Sequence, residues 1–237
     1  EVYGNRIALA QYGGLGIEAV RPLRLTTAIT QAGTACAVLC VPKGEDWLEL
    51  ARHLQDEVKR RAGADLPITT DGKSLMDTEQ TIIAIGNLNN NFIIERLYWN
   101  KYLVADSLTP GPENWVVRTV HQPFNFAPTV NVITVECSDL TGGRAGVEAL
   151  LRLLPTQGDI VLPGPVMLTS VYQPMSEEQA ADLLAEPLSR DPWVDFCRNA
   201  ELYRDRGDLA YAKKAKQVLL QIGEIYQRDP GYAVTWP

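Results

Sequence analysis

The sequence predicts an α+β fold: a mixed β-sheet with helices packed on it, followed by a C-terminal helical hairpin. Two neighbouring runs, residues 114–121 and residues 130–137, are rich in β-branched side chains that alternate with other residues, which is typical of paired strands. A glycine-rich stretch follows, and an amphipathic helix pattern begins there at Thr141, a residue type that caps helices. After residue 175 the periodicity is helical only.

The chain before this hairpin alternates between strand and helix patterns. Residues 35–41 form a continuous apolar run, which is typical of a buried strand. Asp46 begins a helix pattern with Glu49 at the capping-box position, and Gly63 fits the position just beyond the helix end. The remaining predicted elements are an extended piece at residues 66–69, a buried strand at 80–86 and a helix at 92–102. This order mixes a crossover with a hairpin and therefore predicts a mixed sheet.

The two ends of the chain carry weaker patterns. Residues 12–16 predict a flexible turn, and residues 23–29 could form a strand. Residues 158–173 are rich in proline and glycine and predict a linker or arm. We therefore divide the chain into an α/β domain at residues 1–157, a linker at 158–174 and a helical segment at 175–237.

Three helix patterns make up the helical segment. Ser176 and Gln179 form a capping box for a helix that runs to Ala185. Asp191 and Pro192 mark a second start, and the stripe of that helix is Phe196, Ala200 and Tyr203. Gly207 ends the second helix, and Asp208 caps the third. The third helix is predicted to end at residues 229–231, and one of its faces carries Ala212, Leu219, Ile222 and Tyr226.

Composition restricts the classes of function. The formal net charge of −7 argues against a nucleic-acid surface, which needs clustered Lys and Arg. The short basic run at residues 59–61 is interpreted as a solvated helix end. No apolar run approaches the roughly 20 residues that span a bilayer. The chain begins with Glu1 and not Met, so we expect that its start has been processed, for example by removal of a secretory signal. A secreted or periplasmic protein is therefore expected, and a cytoplasmic location stays open.

Cysteine and histidine spacing predicts neither a disulfide nor a metal site. Cys36 and Cys40 lie four residues apart on a predicted strand, so their Cα atoms would be roughly 13 Å apart, beyond disulfide reach. Buried free thiols are the favoured interpretation, which leaves the redox compartment open. His53 falls on an exposed helix side and His121 at a strand end, with no metal-ligand spacing around either. We expect no cofactor.

Several quoted segments resemble a known accessory domain. LCVPKGEDWLELARHLQDEVKRRAGADLPIT, QTIIAIGN, NWVVRTV and VNVITVECSDLTGGRAGVEALLRLL are similar to the α/β domain that precedes the catalytic domain of β-N-acetylhexosaminidases and α-glucuronidases. The shared features are a strand ending in proline, a long helix ending in AGAxLPI, a strand ending in IxxGN, a hairpin and a glycine-rich helix start. The resemblance covers residues 36–154 and implies a mostly structural domain with no nucleophile or acid to carry over.

The tail has a resemblance of its own. AELYRDRGDLAYAKKAKQVLLQIGEIYQRDPGY, residues 200–232, is similar to the early helices of the (α/α) toroid of heparinase- and alginate-lyase-like polysaccharide lyases. Tetratricopeptide repeats are also similar, but a single hairpin does not make a repeat array. In the toroid lyases the catalytic residues come mainly from later helices, so the resemblance implies an amino-terminal part of a larger enzyme.

No catalytic residue is assigned, but five residues are candidates for contacting a glycan. Asn89 and Asn90 carry amides that suit sugar hydroxyls, although a turn and helix cap is the favoured interpretation of this asparagine run. Arg144 follows a strand at a helix start, where an anion can bind, although close helix–sheet packing is the favoured interpretation of this glycine-rich start. Trp99 and Trp115, with Tyr98, are candidates for sugar stacking, or for core packing.

The leading hypothesis is a non-catalytic, structural or glycan-contacting N-terminal region of an enzyme that acts on a polysaccharide as a lyase or a glycoside hydrolase. Its partners would be a polysaccharide or oligosaccharide and the remaining domains of the parent chain, with no nucleic acid and no membrane span. A stand-alone glycan-binding or scaffold protein is the alternative. A third hypothesis is a small hydrolase that uses Glu136 and Asp139 as a carboxylate pair.

Overall fold

The structure is a computed structural model that describes residues 22–123, 130–171, 176–187 and 192–228. The chain divides into two compact units: an α/β unit of Leu23–Met175 with Arg204–Arg206, and a second unit whose described residues after 175 are helical. The mixed sheet, the helices packed on it and the helices that follow confirm the predicted α+β class. The predicted turn at residues 12–16, Asp191, the side chain of Tyr226 and the helix end at 229–231 lie outside the described residues.

A six-stranded sheet forms the centre of the α/β unit, and its strand order is β5-β4-β6-β8-β7-β10. Strands β5, β4, β6 and β8 are parallel, whereas β7 is antiparallel to β8 and β10 is antiparallel to β7. The strands of the described chain are β1 (Thr27–Ala28), β2 (Thr30–Gln31), β3 (Thr34–Ala35), β4 (Ala37–Cys40), β5 (Ile68–Thr69), β6 (Thr81–Gly86), β7 (Trp115–Val120), β8 (Val132–Cys137), β9 (Val161–Leu162) and β10 (Met167–Thr169).

Helices cover both faces of this sheet, as buried apolar side chains on alternating strand positions require. Helix α1 (Glu45–Ala62) and helix α3 (Leu140–Leu153) pack on one face, and helix α2 (Phe92–Trp99) with a 3-10 turn (Gly72–Leu75) packs on the other. The first core contains Leu39, Leu54, Ile83, Val117, Ile133, Val135, Val147 and Leu150, and the second contains Val38, Leu75, Ile82, Ala84, Ile93, Ile94, Leu97 and Val132.

Two predicted helix starts are wrong in detail. Helix α1 has no capping box, because Gly44 precedes it with φ 122° and no side chain caps the helix; Asp46 instead lies in the first turn, where its charge complements the helix dipole. Helix α3 is capped by Asp139 and not by Thr141, because the helix begins at Leu140 and Asp139 Oδ1 accepts from the Gly142 N–H at 2.8 Å. The predicted end of α1 is confirmed, since Gly63 is left-handed at φ 72°.

Two other segments differ from their predictions. Helix α2 ends at Trp99 and does not reach residue 102, because Lys101 takes a left-handed conformation at φ 63°. The predicted linker or arm contributes β9, which pairs with β1, and β10, which forms an edge of the central sheet. Proline and glycine there mark turns between short strands, since apolar residues such as Ile160 and Leu162 separate them and are buried.

The helical unit contains α4 (Glu177–Ala185), α5 (Pro192–Arg206) apart from its last three residues, and α6 (Leu209–Arg228). The capping box of Ser176 and Gln179 is confirmed. Gly207, with φ 70°, separates α5 from α6, and Asp208 Oδ1 accepts from the Ala210 N–H at 2.8 Å. Lys214 Nζ on α6 donates to three carbonyls at the end of α4, those of Leu183, Leu184 and Glu186, at 2.7–2.9 Å.

The buried face of α5 differs from the predicted stripe. Asp195, Asn199 and Leu202 are buried, whereas the predicted Phe196, Ala200 and Tyr203 are half-buried. The buried set precedes the predicted set by one residue, which is a rotation of about 100° around the helix. A prediction from apolar content alone therefore placed the buried stripe of α5 one residue too far along the helix. Among the described helices, none combines the length and the apolar character needed to span a bilayer.

Candidate functional site

The candidate site lies where the parallel strands of the sheet end. Open α/β sheets bind ligands beyond the carboxyl ends of their strands, so a functional site is expected at this edge. We define the carboxyl edge as the ends of β4, β6 and β8 with the residues that follow them: Cys40, Gly86, Asn87, Asn90, Asn91, Cys137, Ser138 and Asp139.

Two buried asparagines join the neighbouring strand ends at the carboxyl edge. Asn87 Nδ2 donates to the Cys137 carbonyl at 3.0 Å, which connects β6 to β8. Asn91 Nδ2 donates to the carbonyls of Cys40 and Ile85, both at 2.9 Å, which connects β4 to β6. The Oδ1 atom of Asn91 also accepts from the Ile93 N–H at 2.9 Å and caps α2. These amides therefore satisfy backbone groups that the sheet leaves unpaired.

The two asparagines predicted to bind a glycan lie in the turn between β6 and α2. Asn90 is exposed, but its Oδ1 accepts from the Asn87 N–H at 2.8 Å. Asn89 is also exposed, and its backbone N–H donates to Asn87 Oδ1 at 3.0 Å. The turn-and-cap interpretation of this asparagine run is confirmed. The glycan-binding role of Asn89 and Asn90 stays a prediction.

The glycine-rich start of α3 is built for close packing. A Cβ atom on Gly146 would lie 2.6 Å from Val135 Cγ1, and one on Gly143 would lie 2.9 Å from the Trp47 ring. A Cβ on Gly142 would collide with the Asn114 carbonyl oxygen. Side chains at these positions would push α3 away from the sheet, so the packing interpretation of these glycines is confirmed.

The helix start that was the candidate anion site already holds a carboxylate. Asp139 Oδ1 accepts from the Gly142 N–H at 2.8 Å, and Asp139 Oδ2 accepts from the Glu113 N–H at 2.9 Å. A bound anion would therefore have to compete with Asp139 for the helix amides. Arg144 lies on the exposed side of the same helix, and its predicted contact with an anionic glycan would depend on its guanidinium alone.

Glu136 is not available as a catalytic carboxylate. Its side chain is fully buried, and its Oε1 lies 2.6 Å from Arg118 Nε and accepts from Thr134 Oγ1 at 2.9 Å. Burial raises the pKa of Glu136 above its ordinary value, while the Arg118 guanidinium and the Thr134 hydroxyl oppose this rise. With Glu136 paired to Arg118 and Asp139 engaged as a helix cap, the structure argues against the carboxylate-pair hydrolase.

The candidate aromatic residues separate into exposed and packed positions. Trp99 is 61% exposed at the end of α2 and makes an edge contact with Tyr98, whose ring centroid lies 5.4 Å away. Tyr98 packs against the second core, and Trp115 packs against the first. Trp99 is therefore the one of the three that presents most of its ring to solvent, as stacking on a sugar requires.

The cysteines and histidines form no metal site in the part of the chain that the structure describes. All four cysteines are free; Cys40 is buried as predicted, but Cys36 is only half-buried. Burial raises the pKa of Cys40 and of Cys137 to about 12 each, so neither is a ready nucleophile. His53 is exposed and lies 2.7 Å from Glu148, and His121 is buried.

Two structural networks were not predicted from the sequence. Arg118 and Glu136 come from adjacent strands 18 residues apart, and His121 bonds to the Arg24 carbonyl 97 residues away. Such pairings depend on the register of the hairpin and on the path of the N-terminal segment, which local patterns do not specify. A charged pair placed inside two apolar strand patterns was the one available hint for the first network.

Comparisons with known proteins give only remote likenesses. No protein-family model and no curated protein sequence matches the chain. Among solved structures, a β-hexosaminidase from Streptomyces plicatus is 18% identical over 63% of this chain and 23% of its own, with a TM-score of 0.34. A β-N-acetylhexosaminidase from Streptomyces coelicolor is 16% identical over 63% of this chain and 24% of its own, with a TM-score of 0.35.

A family GH115 4-O-methyl-α-glucuronidase with specificity for decorated arabinogalactans is also similar. It is 14% identical over 76% of this chain and 24% of its own, with a TM-score of 0.42. The chain thus spans about a quarter of the length of each of these glycoside hydrolases. At TM-scores below 0.5, these likenesses say nothing about what this chain binds or cleaves.

Proposed function

We propose that this chain is a non-catalytic, N-terminal region of a carbohydrate-active enzyme that acts on a polysaccharide. The observation that carries the proposal is the use of the polar groups at the carboxyl edge. Asn87, Asn91 and Asp139 all bond to backbone groups of the fold, and Glu136 is buried against Arg118. Groups committed in this way stabilise a domain and leave little for substrate chemistry.

The sequence resemblance of residues 36–154 to the accessory domain of hexosaminidases and glucuronidases supports the same reading. In such an enzyme the α/β unit packs beside the catalytic domain and holds it in place. The helical unit would begin an (α/α) toroid, with the reaction, β-elimination or hydrolysis, carried out by residues of the parent enzyme outside this chain. We further propose that the enzyme works outside the cytoplasm, where it would encounter its polysaccharide substrate.

The first test is an activity assay on the isolated chain. We expect no depolymerisation of anionic or neutral polysaccharides, because the polar groups at the carboxyl edge are already bonded to the fold. The measurements are the release of reducing ends, which reports hydrolysis, and the ultraviolet absorbance of unsaturated sugar products, which reports β-elimination. Turnover above that of a heat-unfolded sample would refute the non-catalytic role, and its loss in a Glu136→Gln, Asp139→Asn variant would restore the carboxylate-pair hydrolase.

A second candidate function, glycan binding by the chain itself, is favoured by one observation. Trp99 presents most of its ring to solvent, and an exposed indole is a suitable surface for the apolar face of a sugar. Arg144 could add a charged hydrogen bond to a carboxylate or sulfate group. Because the net charge of the chain is −7, long-range attraction of an anionic glycan is unfavourable, and binding would depend on these local groups.

Calorimetric titration with a panel of oligosaccharides tests glycan binding. If the chain binds a glycan, Trp99→Ala should weaken the affinity by about tenfold, the size of one aromatic contact of about 1.4 kcal/mol. Arg144→Ala should weaken binding of anionic glycans only. Arg152→Ala is the matched control, since Arg152 is an exposed arginine on the same helix. Flat titrations across the panel, or equal effects of Arg144→Ala and Arg152→Ala, would contradict these assignments.

A further inference from the structure

An N-terminal strap crosses the end of the hairpin formed by β7 and β8. We define the strap as residues 23–36, the segment that leads into β4. Its middle is held by backbone bonds, since the N–H groups of Ile29 and Thr30 both donate to the Ile160 carbonyl, at 2.9 and 3.2 Å. Its first part pairs mainly with side chains at the hairpin end.

Three hairpin residues hold the first part of the strap. Asn131 Nδ2 donates to the carbonyls of Arg24 and Thr26 and to Thr27 Oγ1, at 2.8–3.1 Å. Gln122 Oε1 accepts from the Arg24 N–H at 2.9 Å. His121 Nδ1 lies 3.1 Å from the Arg24 carbonyl oxygen. Of these three hairpin side chains, only His121 can change its charge near neutral pH.

The hydrogen bonds of His121 fix its neutral tautomer. A carbonyl oxygen can only accept, so Nδ1 carries the proton and donates to Arg24. Nε2 is then the acceptor, and it receives the hydroxyl proton of Thr119 across 3.0 Å. The Thr119 Oγ1 atom also accepts from the Val166 N–H at 2.9 Å, so every polar atom of the group has a partner suited to the uncharged imidazole.

A second proton on His121 would disturb this arrangement. The new Nε2–H would point at Thr119 Oγ1, whose own hydrogen would lose its acceptor while the oxygen still receives the Val166 N–H. No carboxylate contacts the imidazole in the described part of the chain: the strap offers the Arg24 backbone, β7 offers Thr119, and Asn131 is uncharged. Arg118, the nearest charged residue on β7, lies on the opposite face of the strand.

We propose that His121 is a pH-sensitive latch that holds the strap on the β7–β8 hairpin while the imidazole is neutral and releases the strap when it becomes protonated. The imidazole is only 4% exposed, so solvent cannot screen the added charge in the closed form. Opening of the strap would expose the ring and would free the Arg24 carbonyl and N–H to bond to water.

The direction of the pH effect follows from linkage. Burial lowers the pKa of His121 below its ordinary value of 6.5, and hydrogen bonds to the Arg24 backbone and Asn131 oppose this effect only in part. Between the lowered pKa and 6.5, the opened form binds more protons than the closed form. The closed strap is therefore fully stabilised above pH 6.5 and loses stability as the pH falls below that value.

Amide hydrogen exchange on the whole chain tests the latch. We expect the protection factors of the Arg24, Ile29 and Thr30 amides, corrected for intrinsic exchange, to fall by about tenfold or more between pH 7.5 and pH 5. The amides of β6 in the central sheet should keep their protection. In His121→Gln, whose amide can donate to Arg24 and accept from Thr119 without titrating, strap protection should not depend on pH.

The other histidine of the chain, His53, provides the matched control. His53 is exposed on α1, so His53→Gln should keep the wild-type pH response of the strap. Strap protection that is independent of pH in the wild type, or an unchanged response in His121→Gln, would overturn the proposal. If His121→Gln does not fold, a nuclear magnetic resonance titration of the wild-type His121 ring tests the proposal instead. A His121 imidazole that is charged at neutral pH would overturn the latch.

Discussion

Single glycines show how closely α3 approaches the sheet. Gly146 and Gly223 both occupy helices, where glycine is less favourable than alanine by about 1 kcal/mol. The surroundings differ, because a Cβ on Gly146 would lie 2.6 Å from Val135 Cγ1 and 3.2 Å from Trp115 Cβ, whereas a Cβ on Gly223 would meet nothing within 4 Å. Steric contact should therefore reverse the sign of the same substitution at the two sites.

We expect Gly146→Ala to lower the free energy of unfolding by about 1–3 kcal/mol, because overpacking outweighs the gain in helix propensity. Gly223→Ala should raise it by up to about 1 kcal/mol. Urea unfolding followed by circular dichroism measures both, and the glycine at position 223 is the control for propensity. A Gly146→Ala variant as stable as the wild type would show that α3 can move from the sheet at little cost.

Elements with strong periodicity could be predicted from the sequence. The alternation in residues 114–121 and 130–137 matches β7 and β8 to within two residues, and the buried strand predicted at 80–86 matches β6. These strands are central, and burial on one or both faces leaves a clear pattern. The capping role of the asparagine run could also be predicted, because Asn91 lies next to a helix pattern.

Elements that depend on distant partners could not be predicted in the same way. Strand β10 has three residues, and it exists because its backbone pairs with β7, about 50 residues earlier in the chain. The caps of α1 and α3 were misplaced because several capping residue types occur close together, and only the path of the backbone selects among them. At the carboxyl edge, the sequence indicated polar groups but not that Asn87 and Asn91 would bond to neighbouring strand ends.

At the scale of the whole molecule, the two units differ in how much apolar surface they bury. The α/β unit has two cores on the two faces of its sheet. In the described part of the helical unit, the buried apolar side chains include those of Ala180, Leu202, Tyr211, Ala212, Ala215, Val218 and Ile222. Val194 is 42% exposed and Leu220 is 54% exposed on the same helices.

The proposed function therefore predicts the size of the native gene product. If the chain is the accessory region of a polysaccharide-degrading enzyme, the intact mass in the source cells should be far above the 26.2 kDa of this sequence, because the catalytic residues lie elsewhere in the parent protein. Immunoprecipitation with an antibody against the α/β unit, followed by intact-mass spectrometry, measures it. A mass near 26.2 kDa would contradict the accessory role and would make glycan binding through Trp99 the leading function.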